Sequence, residues 1–206
     1  MIYSKDFVWL HFPKCAGTKV AQIFRKYFAS DTTIIQDPTD IVIDPENCWH
    51  DSISMRTERD SSFQLGDRAV ICSFRRLPSW LISRYSYEVN RSPTLDHKPE
   101  LLLEGKFLEK SGMLNSADFY CQKYLPPEIL NSSRVRFLRT ECFEHDFKEI
   151  FGQFFDVSQI PKFVFDERVN STPETVTWKV KWKLRLMSKM LYEHCPYWKE
   201  IEQLAY

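Results

Sequence analysis

The sequence predicts an α/β fold in which a parallel β-sheet is covered by helices on both faces, giving three layers. Three segments carry this prediction, because each joins a short apolar strand to a helical pattern: residues 7–28, 68–89 and 134–155. Strands that alternate with helices along a chain usually pair in parallel within one sheet.

The first segment reads as a strand, a tight turn and a helix. An apolar run of strand length covers residues 7–12, and Pro13 ends it. A turn of small residues follows. The apolar residues after the turn then share one helix face, namely Val20, Ile23, Phe24, Tyr27 and Phe28.

The other two segments repeat this order. RAVICSF, residues 68–74, is typical of a buried strand, and SWLISRYSYEV, residues 79–89, of a helix. VRFLRT, residues 134–139, predicts another strand, and the amphipathic stretch ECFEHDFKEIFGQFF predicts the helix after it. Each predicted strand therefore has its own helix to cover the sheet.

Shorter signals complete the domain. Short strands are predicted at residues 34–35 and 41–43, separated by an Asp-Pro pair. Residues 90–113 are richer in charge and contain two prolines, and we interpret them as an insertion or flap. Residues 1–206 are expected to form a single domain around this sheet.

The stretch WKVKWKLRL, residues 178–186, fits two structures. Its strict alternation is a strand pattern, but five apolar residues also share one helix face: Val176, Val180, Leu184, Met187 and Leu191. We interpret the stretch as a helix. Its four basic residues form either a solvated surface or a contact for an anionic ligand; they are Lys179, Lys181, Lys183 and Arg185.

Composition excludes some classes of function. The 28 lysines and arginines balance the 28 aspartates and glutamates, so a globally basic nucleic-acid-binding protein is not expected. Any anion site must be local. The six cysteines include no C-x-x-C pair, so no zinc site is expected. Their scattered spacing instead predicts reduced thiols in a reducing compartment. With no signal-peptide pattern and no long apolar run, we expect a cytoplasmic protein without a membrane span.

The turn after the first strand has the composition of an anion cradle. A helix N-terminus offers unpaired backbone N–H groups and a partial positive charge. Ala16 and Gly17 leave room for an anion, Thr18 adds a hydroxyl, and Lys14 adds a full charge. We expect the thiol of Cys15 to be exposed in this turn. A plain strand-to-helix turn with a surface lysine is the alternative interpretation.

The turn is not a Walker A loop. That motif places a glycine five residues before the glycine that precedes its lysine, and Phe12 occupies the position five residues before Gly17. This difference disfavours a nucleoside triphosphatase that holds magnesium with the loop.

The exit of the second strand also suits an anion. Arg75 and Arg76 follow the strand directly, and Ser83 lies eight residues after Arg75 in the predicted helix. A guanidinium can grip a phosphate with several donors at once. The alternative is a solvated strand end followed by an ordinary helix-face serine.

Together these segments resemble the sulfotransferase family, in its carbohydrate or heparan-sulfate branch. HFPKCAGT resembles the loop that binds the 5′-phosphosulfate, and SFRRLPSWLISRY resembles the motif that binds the 3′-phosphate. FLRTECFEHDF resembles the family's later strand and acidic helix start. RVNST (168–172) resembles an asparagine-serine segment of the family, and YEHCPYWKEIEQLAY resembles the family's tyrosine-rich C-terminus. The resemblance implies a P-loop-like sulfotransferase fold over most of the chain.

The motifs depart from the family pattern at several positions. Cys15 and Ala16 replace a threonine and a glycine, and Lys19 stands where a serine is usual. One leucine intervenes in RRLP, which leaves either arginine as the phosphate ligand, and the spacing to the serine selects Arg75.

The resemblance implies that the chain transfers a sulfuryl group from 3′-phosphoadenosine 5′-phosphosulfate (PAPS) to a hydroxyl of a carbohydrate or similar small acceptor. Lys14 would stabilise the leaving group, and no metal is expected. The cofactor-binding residues carried over are Lys14, Cys15, Ala16, Gly17, Thr18, Lys19, Arg75 and Ser83.

The catalytic base is expected to be a histidine. His50 resembles the histidine found at this point in many carbohydrate sulfotransferases, and imidazole suits a general base near neutral pH. A nearby carboxylate, such as Asp51 or Glu58, is the alternative base, and His97 could belong to an acceptor-binding flap. His11 is expected to be structural. The alternative functions are a nucleotide-binding protein without sulfotransfer activity and a small-molecule kinase of related fold.

Overall fold

The computed structural model describes residues 1–38, 43, 47–167, 173 and 175–206. The chain divides into two compact units. Unit 1 contains residues 1–74 and 128–170, and unit 2 contains residues 75–127 and 171–206.

Strands and helices are numbered in chain order. The strands are β1 Ile2–Tyr3, β2 Phe7–Leu10, β3 Ile35–Gln36, β4 Ala69–Phe74, β5 Lys106–Leu108, β6 Leu114–Ser116 and β7 Val135–Arg139. The helices are α1 Gly17–Tyr27, α2 Ile53–Arg59, α3 Leu77–Arg91, α4 Ala117–Tyr124, α5 Pro127–Leu130, α6 Phe143–Phe151, α7 Lys162–Asp166, α8 Trp178–Leu186, α9 Ser188–His194 and α10 Pro196–Ala205. Short 3₁₀ turns occur at Cys48–His50, Pro99–Glu104 and Thr140–Cys142.

Unit 1 is built on a five-stranded sheet with the order β3-β1-β2-β4-β7. Strands β2, β4 and β7 are parallel neighbours, as the alternation of strands and helices predicted. Strand β1 instead pairs antiparallel with both β2 and β3. The predicted parallel pairing therefore holds for β2, β4 and β7 but not for β1 and β3, and the fold is a mixed α/β fold whose sheet is flanked by helices. The periodicity missed β1 because a strand of two residues has no period to detect.

Strand β4 runs two residues past the end of β2. Their register pairs Leu10 with Cys72, and the indole of Trp9 donates a hydrogen bond of 3.0 Å to the hydroxyl of Ser73 on the neighbouring strand. Because the two strands are parallel, their carboxyl ends lie at the same edge of the sheet. The Lys14 turn follows one of these ends, and Arg75 is the next residue in the chain after the other.

Aromatic side chains hold α1 and α6 to the sheet of unit 1. The ring of Phe151 lies 5.6 Å from the ring of Phe7 in β2, 5.1 Å from Phe24 in α1 and 4.6 Å from Phe147 in α6. All four rings are buried. Edge-to-face and tilted ring pairs at these distances add to the gain from apolar burial, so this cluster fixes α1 and hence the turn that begins it.

Unit 2 is organised around α3. Trp80 of α3 packs 4.6 Å from Trp198 of α10 and 5.7 Å from Phe107 of β5, measured between ring centroids. Strands β5 and β6 pair antiparallel as a hairpin. The segment 90–113, predicted as an insertion or flap, therefore contains a 3₁₀ turn and the first strand of this hairpin, both packed within unit 2.

The ambiguous C-terminal stretch is a helix, as predicted. Residues 178–186 form α8, and Leu184 is fully buried. Val176 and Leu191, from the same predicted apolar face, are also buried, one before α8 and the other in α9. The alternation of basic and apolar residues therefore did not reflect a strand.

Other predictions have mixed outcomes. Strand β3 lies one residue later than predicted, at Ile35–Gln36. Of the strand predicted at residues 41–43, only Ile43 lies within the described residues, where it belongs to a turn. RVNST lies outside the described residues. All six cysteines are free thiols. No helix in the described ranges is long and apolar enough to cross a bilayer.

Candidate functional site

The candidate anion turn links β2 to α1 within unit 1. Lys14 and Ala16 both adopt left-handed backbone conformations, with φ values of 63° and 59°. Ala16 is the N-cap residue of α1, and its methyl side chain makes no capping hydrogen bond. Non-glycine residues rarely adopt positive φ without a constraint. The turn is therefore held in an unusual shape that turns the chain sharply onto the helix N-terminus.

Gly17 is required by a close approach to His11. A Cβ atom at position 17 would lie 1.7 Å from Cδ2 and 1.8 Å from Nε2 of the His11 ring. Any side chain at this position would therefore overlap the imidazole. The close approach of His11 therefore requires glycine at position 17, in addition to any role of this glycine in admitting a ligand.

His50 stacks on the other histidine of this region. It ends the 3₁₀ turn Cys48–His50, and its ring lies 4.1 Å from that of His11 with an angle of 19° between the planes. The ring of Trp49 lies 3.8 Å from His11. The structure thus brings the predicted base next to His11, whose ring also contacts the Gly17 turn.

The position of His50 favours one tautomer. Its Nδ1 lies 3.3 Å from the carbonyl oxygen of His11. A carbonyl can only accept, so Nδ1 carries the hydrogen and donates it. In the neutral ring, Nε2 then carries the lone pair, which is the form a general base needs.

His11 is held in its neutral form. Burial lowers the pKa of His11 well below its ordinary value of 6.5, and the nearby charges of His50, the Met1 amine and Lys14 lower it further. Its Nδ1 is buried and has no hydrogen-bond partner within the described residues. The prediction of a structural role agrees with this burial.

Buried ion pairs hold the segment that carries His50. Arg56 of α2 contacts the carboxylates of Asp37 and Asp51, and its Nη2 donates to the carbonyl of Cys48 at 3.2 Å. Arg59 lies 3.4 Å from Asp51. Buried charges remain ionised only when paired in this way, so the network fixes the 3₁₀ turn against α2.

This network argues against Asp51 as the base. Its side chain is 0% exposed and faces two guanidinium groups. Burial raises the pKa of Asp51, while Arg56 and Arg59 oppose that rise. Glu58, the other carboxylate considered, lies on the exposed face of α2. Of the three candidate bases, His50 is the one whose ring stacks on His11, next to the Gly17 turn.

Lys19 and Cys15 point away from the role predicted for their side chains. The ammonium of Lys19 donates to the carbonyl oxygens of Phe165 at 2.5 Å and Glu167 at 2.9 Å, and it lies over the ring of Phe143. It therefore ties α1 to the end of α7. The prediction that the Cys15 thiol is exposed is wrong, because the residue is 1% exposed. The bend at its left-handed neighbours turns this side chain inward.

The two arginines after β4 differ in their contacts within unit 2. The guanidinium of Arg76 lies 3.3 Å from the carboxylate of Glu202 and 4.0 Å from the ring centroid of Tyr206. The Nε of Arg75 is buried and has no hydrogen-bond partner among the described residues. Ser83 is half-buried on α3. The contacts therefore favour Arg75 over Arg76 as a donor for a ligand.

His97 belongs to a local structural contact. Its Nε2 lies 2.9 Å from the carbonyl oxygen of Ser92, and its own carbonyl accepts a 2.9 Å hydrogen bond from the hydroxyl of Tyr85. These contacts tie the start of the 90–113 segment to α3. They account for Nε2 and the carbonyl of His97, while its Nδ1 is buried without a hydrogen-bond partner among the described residues.

A cavity of about 440 Å³ lies elsewhere in unit 1, beside α1 and α7. Ile23 and Phe163 contribute apolar surface, and Lys19, Arg25 and Lys26 contribute positive charge. Neither the Lys14 turn nor His50 lines it. Of the predicted cofactor-binding residues, Lys19 lines the cavity, and the residues of the Lys14 turn do not.

Sequence reasoning missed the stack beneath the turn. Trp9 and His11 lie two residues apart and their rings stack at 5.4 Å, but only the fold brings Trp49 and His50 onto them. The sequence signal for this stack was the two-residue spacing of Trp9 and His11, which places both side chains on the same side of an extended chain.

Comparisons with known proteins identify no relative: no family model, no curated protein and no solved structure matches the chain.

Proposed function

We propose that this protein is a sulfotransferase that moves a sulfuryl group from PAPS to a hydroxyl of a carbohydrate or similar acceptor. The observation that carries the proposal is the parallel pairing of β2 with β4. It brings the ends of the two strands that precede the family-like motifs to one edge of a sheet, where open α/β sheets bind their ligands.

The Lys14 turn would hold the 5′-phosphosulfate. The N-terminus of α1 supplies the backbone donors of Gly17 and Thr18, and the Thr18 hydroxyl lies in the first helical turn. Charge develops on the oxygen between phosphorus and sulfur as the bond to sulfur breaks. Lys14 and the backbone donors would stabilise that charge. Cys15, Ala16 and Lys19 would contribute through the backbone alone. The side chains of Cys15 and Lys19 point elsewhere, and that of Ala16 is a methyl group.

Arg75 would bind the 3′-phosphate together with Ser83. The proposal prefers Arg75 because Arg76 already contacts Glu202. The buried unpartnered Nε of Arg75 supports the same choice, since a buried donor without a partner is costly and a phosphate would satisfy it.

His50 would act as the base. The acceptor oxygen attacks sulfur in line, the bond from sulfur to the phosphate oxygen breaks, and the acceptor proton passes to Nε2 of His50. The products are a sulfate ester and adenosine 3′,5′-bisphosphate. A positioned imidazole contributes about 10²–10⁴ to the rate of such a step.

Transfer kinetics with ³⁵S-labelled PAPS and a panel of hydroxyl acceptors test the proposal. Lys14→Ala should lower turnover by about 10²–10³, the effect of losing one donor to the developing charge. Lys26→Ala is the matched control, because it removes an exposed lysine from the other end of α1.

Equal turnover of the Lys14 variant and the wild type would remove this lysine from the mechanism. Tight binding of adenosine 3′,5′-bisphosphate without transfer to any acceptor would favour a nucleotide-binding protein. Transfer of phosphate from ATP would favour a kinase.

A further inference from the structure

Helix α8 has two apolar faces, and one of them points outward. Leu184 is fully buried within unit 2, where α8 packs against α3, α9 and the 3₁₀ turn at residues 99–104. On the outer side, Trp178, Trp182 and Leu186 are 71%, 56% and 62% exposed. An amphipathic helix packs on its unit through one apolar face. The folding of unit 2 therefore does not explain why these three outer side chains are apolar.

The three exposed side chains form one continuous stripe. They are four residues apart, and residues at this spacing are neighbours along a helix face. At 1.5 Å per residue, the stripe runs for about 12 Å. Large apolar side chains that cluster on a surface in this way mark an interaction site, whereas single exposed ones do not.

Positive charge borders the stripe on both sides. Turning 100° per residue, the helix puts Lys179 and Lys183 on one flank and Lys181 and Arg185 on the other. The nine residues of α8 include no acid, although the whole chain has equal numbers of acids and bases. The partner of this surface is therefore apolar at its centre and anionic around it.

We propose that α8 docks unit 2 onto the surface of an anionic lipid bilayer. Tryptophan is enriched at the boundary between lipid headgroups and acyl chains, because its ring is apolar and its N–H is polar. Lysines beside it can reach lipid phosphates while their stems stay on apolar surface. The nine-residue helix, about 14 Å long, is too short to span a bilayer, so it lies along the interface.

Two other partners fit this surface less well. A second copy of the chain would bring an α8 with the same four cations and no acid, so like charges would meet across the contact. A nucleic acid or sulfated polymer would satisfy the lysines but would gain little from Leu186. Only a surface with an apolar layer under anionic groups uses both features of the helix.

Sedimentation of the full chain with vesicles tests this proposal. The wild type should bind vesicles that contain phosphatidylserine, bind phosphatidylcholine vesicles more weakly, and release from the former as salt is added. Tryptophan emission should shift to shorter wavelength on binding. The Trp178→Ser/Trp182→Ser variant should lower the partition coefficient by at least about tenfold and lose most of the shift.

The matched control for the tryptophans is Phe119→Ser/Leu204→Ser, which removes two exposed apolar side chains from α4 and α10. For the charges, Lys179→Gln/Lys183→Gln should weaken binding by about fivefold per cation. The control pair Lys110→Gln/Lys199→Gln changes the net charge equally at exposed positions outside α8 and should bind like the wild type.

Three results would overturn the proposal. The first is a folded wild type that does not sediment with anionic vesicles. The second is an equal loss of binding in the α8 variants and their controls. The third is a self-association, measured by ultracentrifugation, that the tryptophan variant abolishes without any vesicle binding; this would identify a second copy of the chain as the partner.

Discussion

His11 links two features of the candidate site at the scale of single residues. Its ring edge faces the backbone of Gly17, and its ring plane stacks on His50. A change on either side of this imidazole would therefore be felt on the other. We expect the turn and the proposed base to be coupled through it.

A double-mutant cycle measures the contact between His11 and Gly17. Gly17→Ala should destabilise the protein by about 1–3 kcal/mol, because the added methyl overlaps a buried ring that cannot move aside. In the His11→Ala background the same methyl has space, so the cost should fall and the coupling free energy should reach about 1–3 kcal/mol. Urea unfolding of the four proteins gives both values. Additive effects of the two substitutions would show that the ring and the glycine do not touch.

The buried imidazole of His11 should make stability depend on pH. Since burial lowers its pKa in the folded state, the unfolded chain binds the proton more readily. The contribution of His11 to stability is therefore complete above about pH 6.5 and falls by up to about 1.4 kcal/mol per pH unit below it, down to the lowered pKa.

Urea unfolding of His11→Gln against pH tests this dependence. The slope of stability between pH 6.5 and lower values should be smaller in this variant than in the wild type. Both proteins retain the Met1 amine, whose pKa burial lowers to about 6, so its contribution is common to the two curves. Parallel curves for wild type and His11→Gln would contradict a neutral His11.

At the scale of elements, one carboxylate supplies the N-terminal cap of α10. Asp118 lies on α4, and its two oxygens accept hydrogen bonds from the backbone N–H groups of Tyr197 at 3.0 Å and Trp198 at 2.8 Å. A helix leaves its first N–H groups without intrahelical partners. This long-range cap therefore joins α4 to α10 in unit 2.

Removing that cap should weaken unit 2. Asp118→Ala should lower the free energy of unfolding by about 1–2 kcal/mol, the usual cost of losing a capping side chain. Glu200→Ala, an exposed substitution on α10, serves as control and should change stability by less than about 0.5 kcal/mol. Thermal unfolding compares the two variants, and equal stabilities would show that Asp118 is not the cap.

The longer elements could be predicted because their patterns repeat. The helical spacing after Thr18 and the buried run before Arg75 each extend over enough residues to show a period. Strand β1 could not be found in this way. Its two residues form a strand only because β2 and β3 lie on either side of them, and the mixed character of the sheet follows from that pairing.

At the scale of the whole molecule, balanced charge hides local concentrations. The formal net charge is zero, yet α8 contains four cations and no acid. The sequence located these lysines as well as the anion turn. It could not show that Trp178 and Trp182 stay exposed between the lysines, because exposure depends on which helix face the rest of unit 2 covers.

The candidate site was predictable in part for the same reason. Lys14, Gly17 and Arg75 could be proposed as candidates from their positions after strands. The contact of His11 with the turn could not, because it depends on distances through space. The inward direction of the Cys15 side chain could not be predicted either, because it follows from the left-handed backbone on either side of it.

Calorimetric titration with adenosine 3′,5′-bisphosphate tests the central claim most directly. The wild type should bind this nucleotide more tightly than ATP with magnesium. Arg75→Ala should weaken binding by about 10- to 150-fold, as expected for a lost charged hydrogen bond, whereas Arg76→Ala should stay within about threefold of the wild type because that guanidinium already contacts Glu202. Absence of bisphosphate binding by the folded wild type, or equal affinities of the Arg75 variant and the wild type, would contradict the account.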